Sequence, residues 1–293
     1  MATIDNGVEL MGAYWTTAGP TQPHEGQEWS NFDFGDRCAE AARAGMKGIG
    51  IWHADLVHDK ESRSLEEMKR LLDDNGLRYR ELEFIWGFFE DEGTDGRKES
   101  DELRDLLLEG AAVLGAHHVK VGNIPGVPCE LDKLTERYAE LCAHAAELTD
   151  AVIAYEFMPF DVNVDNLDAA LQVVEGAGAK NGGLVIDTWH MSKLGISPDD
   201  LKRIPLKYLT WVELSDGKHE WMEDRIEETT RFRKLPGEGE FDIRGYIRAA
   251  QEMGYDDAWG IEVLSDDLRA EPIDEMYRHA FEATMSQFQP VAA

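Results

Sequence analysis

Four carboxylates stand where apolar segments end. Ala154-Tyr155-Glu156-Phe157 carries Glu156, Val185-Ile186-Asp187-Thr188 carries Asp187, Trp211-Val212-Glu213-Leu214 carries Glu213, and Gly260-Ile261-Glu262-Val263 carries Glu262. An ionised carboxylate among apolar neighbours is costly unless it is paired or coordinated. If the four converge on one site of low dielectric, they cannot all stay charged without a compensating cation. A divalent ion supplies that compensation. All-oxygen ligation favours Mg²⁺ or Mn²⁺, with Co²⁺ or Zn²⁺ as secondary candidates. Taken singly, each carboxylate is as readily a helix cap or an Arg partner, so the set carries the argument. Asp187 and Glu262 are the strongest members, because each follows Ile; Glu213 is weaker, because Ser215 and Asp216 stand beside it.

The chemistry of such a site is carbonyl chemistry. An ion chelated by a carbonyl oxygen and the neighbouring hydroxyl polarises the carbonyl and stabilises the enediolate left when the α-proton departs. Two carboxylates on opposite sides of the substrate then move that proton, which is aldose–ketose isomerisation or epimerisation. Glu156 and Glu262 are the expected pair. His190, three residues past Asp187, is a hydrogen-bond or proton donor to a substrate oxygen. Trp15, His53, Glu83, Trp86 and Trp189 lie at or just past strand ends, where aromatic faces suit the C–H faces of a sugar. Lys120 is a charge inside an apolar strand, so it pairs with a barrel carboxylate or reaches an oxyanion. Arg231 and Arg233 are candidates to bind a substrate anion or hydroxyl. The same proton abstraction can instead end in β-elimination, making a lyase or dehydratase of a cyclic keto-polyol or keto-glycoside. A further reading is a non-catalytic barrel that binds a sugar or a partner.

Something must bring these residues together. Helical patterns ending in a Gly turn feed short apolar strands: Gly45 precedes Gly48–Trp52, Gly76 precedes Tyr79–Ile85, Gly115 precedes His118–Gly122 and Gly254 precedes Trp259–Val263. Leu10–Trp15, Val152–Phe157, Gly183–Asp187 and Leu209–Leu214 complete eight strand candidates. Between them, apolar stripes recur at the helical period, as in Leu103, Leu106, Leu107, Ala111 and Leu114, then Leu134 through Leu148, then Ile273 through Phe288. Alternating strands and helices imply parallel pairing. Eight such units predict a single-domain α/β chain over 1–293, a (β/α)8 TIM barrel, with active-site residues at the C-terminal strand ends. No G-x-G-x-x-G or Walker motif points to an open nucleotide-binding sheet. The polar stretch 217–242 is a long loop after strand seven, placed to act as a lid or subunit contact.

Composition narrows the partners. The 293-residue chain has 59 acidic and 29 basic side chains, a formal net charge of −30. With no run of Lys or Arg, that charge repels nucleic acid and anionic membranes. A small carbohydrate or polyol is the expected partner, together with a homo-oligomeric contact. Cys38, Cys129 and Cys142 make neither a C-x-x-C pair nor an even framework, which points to reduced thiols and a cytoplasmic protein. Met1 to Asn6 shows no signal-peptide pattern, and no apolar stretch is long enough to span a membrane.

Several ordered motifs carry a family resemblance: Y-E-F-M-P around Glu156, I-D-T-W-H from Asp187 to His190, S-D-G after Glu213, P-G-E-G-E-F-D at 236–242 and G-I-E-V at 260–263. Together they resemble the sugar phosphate isomerase/epimerase superfamily, the xylose-isomerase-like barrels that include inosose and 3-dehydroshikimate dehydratases. The resemblance covers nearly the whole chain. It implies the barrel, proton transfer by Glu156 and Glu262, and one divalent metal held by Glu156, Asp187, the strand-seven residue and Glu262. At strand seven many members have His and some have Gln, whereas this chain has Glu213.

Overall fold

Gly45, Gly115 and Gly254 have φ of 104°, 68° and 95°, and each ends a helix and turns the chain toward the next strand. Only glycine enters this left-handed region without steric cost. The computed structural model describes residues 7–24 and 26–289. Its strands are β1 (Leu10–Gly12), β2 (Gly48–Trp52), β3 (Tyr79–Ile85), β4 (His118–Val121), β5 (Val152–Glu156), β6 (Gly182–Asp187), β7 (Leu209–Leu214) and β8 (Trp259–Ile261). They run parallel in sequence order, and β1 pairs back onto β8 to close a TIM barrel. Helices join successive strands. The N-terminal hexapeptide, read above as lacking a signal pattern, lies outside the described residues.

β1 is shorter than the sequence predicts. It stops at Gly12, and Tyr14–Thr17 forms one helical turn. Thr16 explains the stop, because its Oγ1 donates to the Ile261 carbonyl at 2.6 Å and accepts from Val263 N–H at 2.8 Å. The Ile261 carbonyl is shared with Ala13 N–H, which donates to it at 3.0 Å, and Trp15 rides on a helical turn at the barrel mouth rather than in a strand.

Side chains alternate across a strand, so every second residue points into the barrel. Met11, Ala154, Val185, Trp211 and Ala258 pack as an apolar floor inside it. The larger core lies between the strands and the surrounding helices. The helical stripes bury Leu103, Leu107, Ala111 and Leu114, then Leu134, Tyr138, Leu141, Cys142 and Ala145, then Met276, Tyr277 and Ala280. Leu148 departs from its stripe: it falls past the helix Leu131–Ala146 and is 50% exposed. The three cysteines are free thiols, two of them buried. No helix among the described residues is long and apolar enough to cross a membrane.

The segment after β7 has more structure than a polar loop suggests. It contains the helix Arg225–Arg231, capped by Asp224 accepting from the N–H groups of Ile226 and Glu227. Asp216 fastens its ends. Oδ1 accepts from Gly217 and Phe241 N–H at 2.8 and 3.0 Å, and Oδ2 accepts from Gly237 N–H at 2.9 Å. Gly239 passes so close that a Cβ would lie 2.2 Å from Asp216 Oδ1. The P-G-E-G-E-F-D motif is therefore the closure of this loop around a buried carboxylate, and Asp216 is occupied there rather than beside Glu213.

Candidate metal and active site

β3 and β4 line one side of the barrel interior with alternating polar residues, Glu81 and Glu83 on one and His118 and Lys120 on the other. All four are buried. They form a ladder rising from the N-terminal end. Asp257 Oδ2 meets His117 Nε2 at 2.9 Å, His117 Nδ1 meets His118 Nδ1 at 2.9 Å, and His118 Nε2 meets Glu81 Oε2 at 2.7 Å. Above this stands the Lys120 ammonium, 2.8 Å from Glu262 Oε1, 3.0 and 3.1 Å from the two Glu213 oxygens, 3.3 Å from Glu156 and 3.5 Å from Glu83. Burial alone would push this ammonium down, but Glu156, Glu213 and Glu262 outweigh it and hold Lys120 well above the ordinary lysine value. Lys120 thus lies among barrel carboxylates and does not line the cavity described below.

The carboxylates divide by their neighbours. Burial pushes Glu262 up, yet Lys120 and Arg233 reverse this and hold it well below the usual carboxylate range. Burial drives Glu83 and Glu213 well above that range, with Lys120 opposing. Asp187 is pushed up to about 6 by burial, against the pull of Arg233 and His190. Two fixed cations, Lys120 and Arg233, thus stand among the carboxylates of the acidic interior.

Among the described residues, Glu156, Asp187, His190 and Glu262 each offer a ligand atom, and these atoms lie within 4.8 Å of one another. His190 Nε2 is 3.3 Å from Glu156 Oε1 and 3.4 Å from Asp187 Oδ2. Its Nδ1 is buried with no hydrogen-bond partner. A set of carboxylate oxygens with one imidazole, all aimed at a common point, fits a divalent first-row cation. His190 therefore joins this cluster, whereas Glu213, on the ligand list from sequence, is turned to Lys120. Asp187 and Glu213 are paired neighbours on β6 and β7, and Glu213 meets Lys120 with both its oxygens.

A cavity of about 540 Å³ opens above this cluster. Trp15, His53, Glu83, Glu156, His190, Arg233 and Glu262 line it, as do Trp86 and Leu264. His53 packs at a tilt of 45° against Trp52 at 4.4 Å and meets Trp86 edge-on at 5.1 Å. Burial lowers its pKa to about 4, so its ring is neutral near pH 7. Arg233 reaches in from the loop after β7, with Nη1 2.7 Å from Asp187 Oδ2 and 3.1 Å from Glu262 Oε2. Arg231 does not reach the cavity; it points the other way and pairs with Asp266 at 2.9 Å. Trp189 is also outside the lining. It is buried against Phe160 and Trp221 and supports Arg233, whose guanidinium lies 4.8 Å from its ring centre.

Sequence reasoning missed Glu81, His118, Trp52 and Glu28. The first two were legible as the period-2 partners of Glu83 and Lys120 on strands already identified. Glu28 carried no such signal. It comes to the cavity wall because Trp52 Nε1 donates to its Oε2 at 3.0 Å.

A closed eight-stranded barrel with an acidic, cation-competent cluster at its C-terminal mouth defines the class. The chain matches the family model described as xylose isomerase-like TIM barrel over residues 38–286, and it belongs to that family. It is 28% identical over 238 residues to a 3-dehydroshikimate dehydratase of Pseudomonas aeruginosa, covering 79% of this chain and 36% of that protein. The chain thus spans about a third of the length of this relative. It is 22% identical over 214 residues to an inosose isomerase of Bacillus velezensis, covering 69% of this chain and 74% of that one. In fold it is similar to the IOLI protein solved with a bound zinc atom, with a TM-score of 0.75, 18% identity, and coverage of 96% of this chain and 98% of that one.

Proposed function

We propose that the protein is a divalent-metal-dependent enzyme that removes a proton next to the carbonyl of a sugar or keto-polyol and returns it, as an isomerase or epimerase. The observation that carries this reading is the convergence of Glu156, Asp187, His190 and Glu262 at the floor of an aromatic-walled cavity. Glu156, Asp187 and Glu262 would hold the ion, with His190 beside them and Mn²⁺ or Mg²⁺ as the expected metal. When bound, a divalent cation supplies Lewis-acid polarisation of the substrate carbonyl.

The chain's own residues do the rest. Glu262, an anion in contact with Lys120 and Arg233 at the cavity floor, is the acceptor of the α-proton in this reading. Glu156 stands three strands away on β5 and acts as the second proton carrier. His190 and Arg233 hold substrate oxygens from the cavity floor and the loop side. Trp15, Trp86 and the neutral His53 pack the C–H faces of the ring and exclude water.

A second reading, β-elimination to give a dehydratase, is favoured by the 28% identity to a 3-dehydroshikimate dehydratase. Proton abstraction by Glu262 is common to both, and His190 would then protonate the leaving oxygen. The test is metal analysis of the purified protein, with mass spectrometry of a ketose, inosose and 3-dehydroshikimate panel incubated in D₂O with Mn²⁺. Uptake of one deuterium at unchanged formula supports the isomerase, and loss of water supports the dehydratase. Absence of both bound metal and exchange would remove the enzyme reading.

A further inference from the structure

The cavity is short of free positive charge. Among the described residues, Arg233 is the one lysine or arginine on its lining. Nε donates to the Thr229 carbonyl at 3.0 Å, Nη2 to Thr229 Oγ1 at 3.1 Å, and Nη1 to Asp187 and Glu262 at 2.7 and 3.1 Å. Four of the five guanidinium N–H groups are thus taken. The one left can meet a substrate oxygen, but no two-pronged fork remains for a carboxylate or phosphate. Lys120 is off the lining and already meets Glu262, Glu213, Glu156 and Glu83 within 3.5 Å.

Glu28 stands on the opposite wall. It accepts from Trp52, which ends β2, four strands around the closed barrel from Asp187 at the end of β6. Its carboxylate is held in place, with Oε2 3.0 Å from Trp52 Nε1 and Oε1 2.8 Å from the backbone N–H of His24. Each oxygen keeps a lone pair for a further donor. Trp15 packs against Trp52 at 5.0 Å, so an aromatic face lies next to this acceptor on the same lining. Glu99 adds an exposed carboxylate to that lining. A divalent ion and Arg233 would offset Glu156, Asp187 and Glu262, whereas no lysine or arginine on the lining offsets Glu28. We propose that Glu28 determines the charge of the substrate: it accepts a hydroxyl of the part remote from the reacting carbonyl and turns away a carboxylate or phosphate there, so that the protein takes an uncharged polyol ketone. The inference rests on the proton-transfer reading above and applies to both reactions considered there. Like-charge repulsion and the lack of a paired donor both act against an anionic substrate.

The experiment uses matched pairs that differ by one anionic group: 3-dehydroshikimate against its methyl ester, and a ketohexose against its terminal phosphate. kcat/KM is measured on the full chain with Mn²⁺, and Kd on the metal-free chain by quenching of tryptophan fluorescence, since Trp15, Trp52 and Trp86 line the cavity. The uncharged member of each pair is expected to be favoured about tenfold or more in both readouts. Added salt should narrow that gap. Glu28→Gln keeps the shape and an acceptor for Trp52 while removing the charge. It should shrink the ratio about threefold or more, acting on KM rather than kcat. A residue that only held Trp52 in place would move both members of a pair together. Preference of the unaltered protein for the acid or the phosphate overturns the inference and leaves the proton-transfer reading intact. A ratio unchanged by Glu28→Gln does the same. If no member of the panel turns over, the proton-transfer reading fails, and the Kd ratios decide the charge inference alone, with equal binding or no binding overturning it.

Discussion

Arg233 Nη1 lies 2.7 Å from Asp187 Oδ2, although the two residues are 46 positions apart and belong to a loop and a strand end. The same nitrogen reaches Glu262 at 3.1 Å, so one guanidinium joins the ends of β6 and β8. It is buried, and Trp189 packs beneath it. The loop after β7 is thereby anchored to the site by charge rather than lying over it as a detached flap.

Arg233→Met tests this anchoring. The variant leaves two buried carboxylates without their guanidinium, a loss of about 3–5 kcal/mol by analogy with broken buried pairs. Thermal melts should show a lower Tm without metal and a larger Mn²⁺-induced rise than in the unaltered protein. An equal rise in both would mean that Arg233 does not share its carboxylates with the ion.

Glu262→Gln keeps the shape of the side chain and removes the base. Turnover on whichever panel substrate reacts should fall by about 10² or more, the usual value of general base catalysis. Deuterium wash-in from D₂O should fall with it. Retained wash-in would move the base to Glu156.

Asp187→Ala should lower the bound metal measured by elemental analysis, because Asp187 supplies one of four convergent ligand atoms. Metal stoichiometry unchanged from the unaltered protein would take Asp187 off the ligand list.

Asp59 provides a pH-dependent test away from the site. Burial, reinforced by Asp55 and opposed by Arg37 and Arg63, raises its pKa from 3.8 to about 6. A raised folded-state pKa means that the folded protein holds the proton more tightly than the unfolded chain. The resulting stability is full below pH 3.8 and is lost as pH rises through about 6. Asp59→Asn should therefore raise stability at pH 8, by up to about 3 kcal/mol, and change it little at pH 4. Equal effects at both pH values in urea titrations would refute the burial account.

Gly48 tests the barrel itself. A Cβ there would meet the Tyr79 carbonyl oxygen at 2.1 Å, so β2 and β3 would have to separate. Gly48→Ala should cost about 1–3 kcal/mol or more, as overpacking against backbone does. A melt within one degree of the unaltered protein would show that the strands yield easily at this point.

Periodicity and glycine placement were enough to reach the barrel. β2, β3 and β7 match their predicted bounds, and the others differ by a few residues at their ends. These are local properties, since strand, helix and turn preferences are expressed over a few neighbouring residues. The strand-end carboxylates were legible for the same reason, as charges interrupting apolar runs. Which groups face one another was not. Lys120 and Glu213 are 93 residues apart, and their pairing arises only when β4 and β7 come to opposite parts of one closed cylinder. Arg231 and Arg233 are both basic residues in one loop, yet the first turns to Asp266 and the second to Asp187. The sequence by itself determined which residues occupy the strand ends and how much charge they bring. Barrel closure and the fastening of the loop by Asp216 decided which charges cancel and which are left for a cation, because electrostatic pairing depends on distances across the barrel.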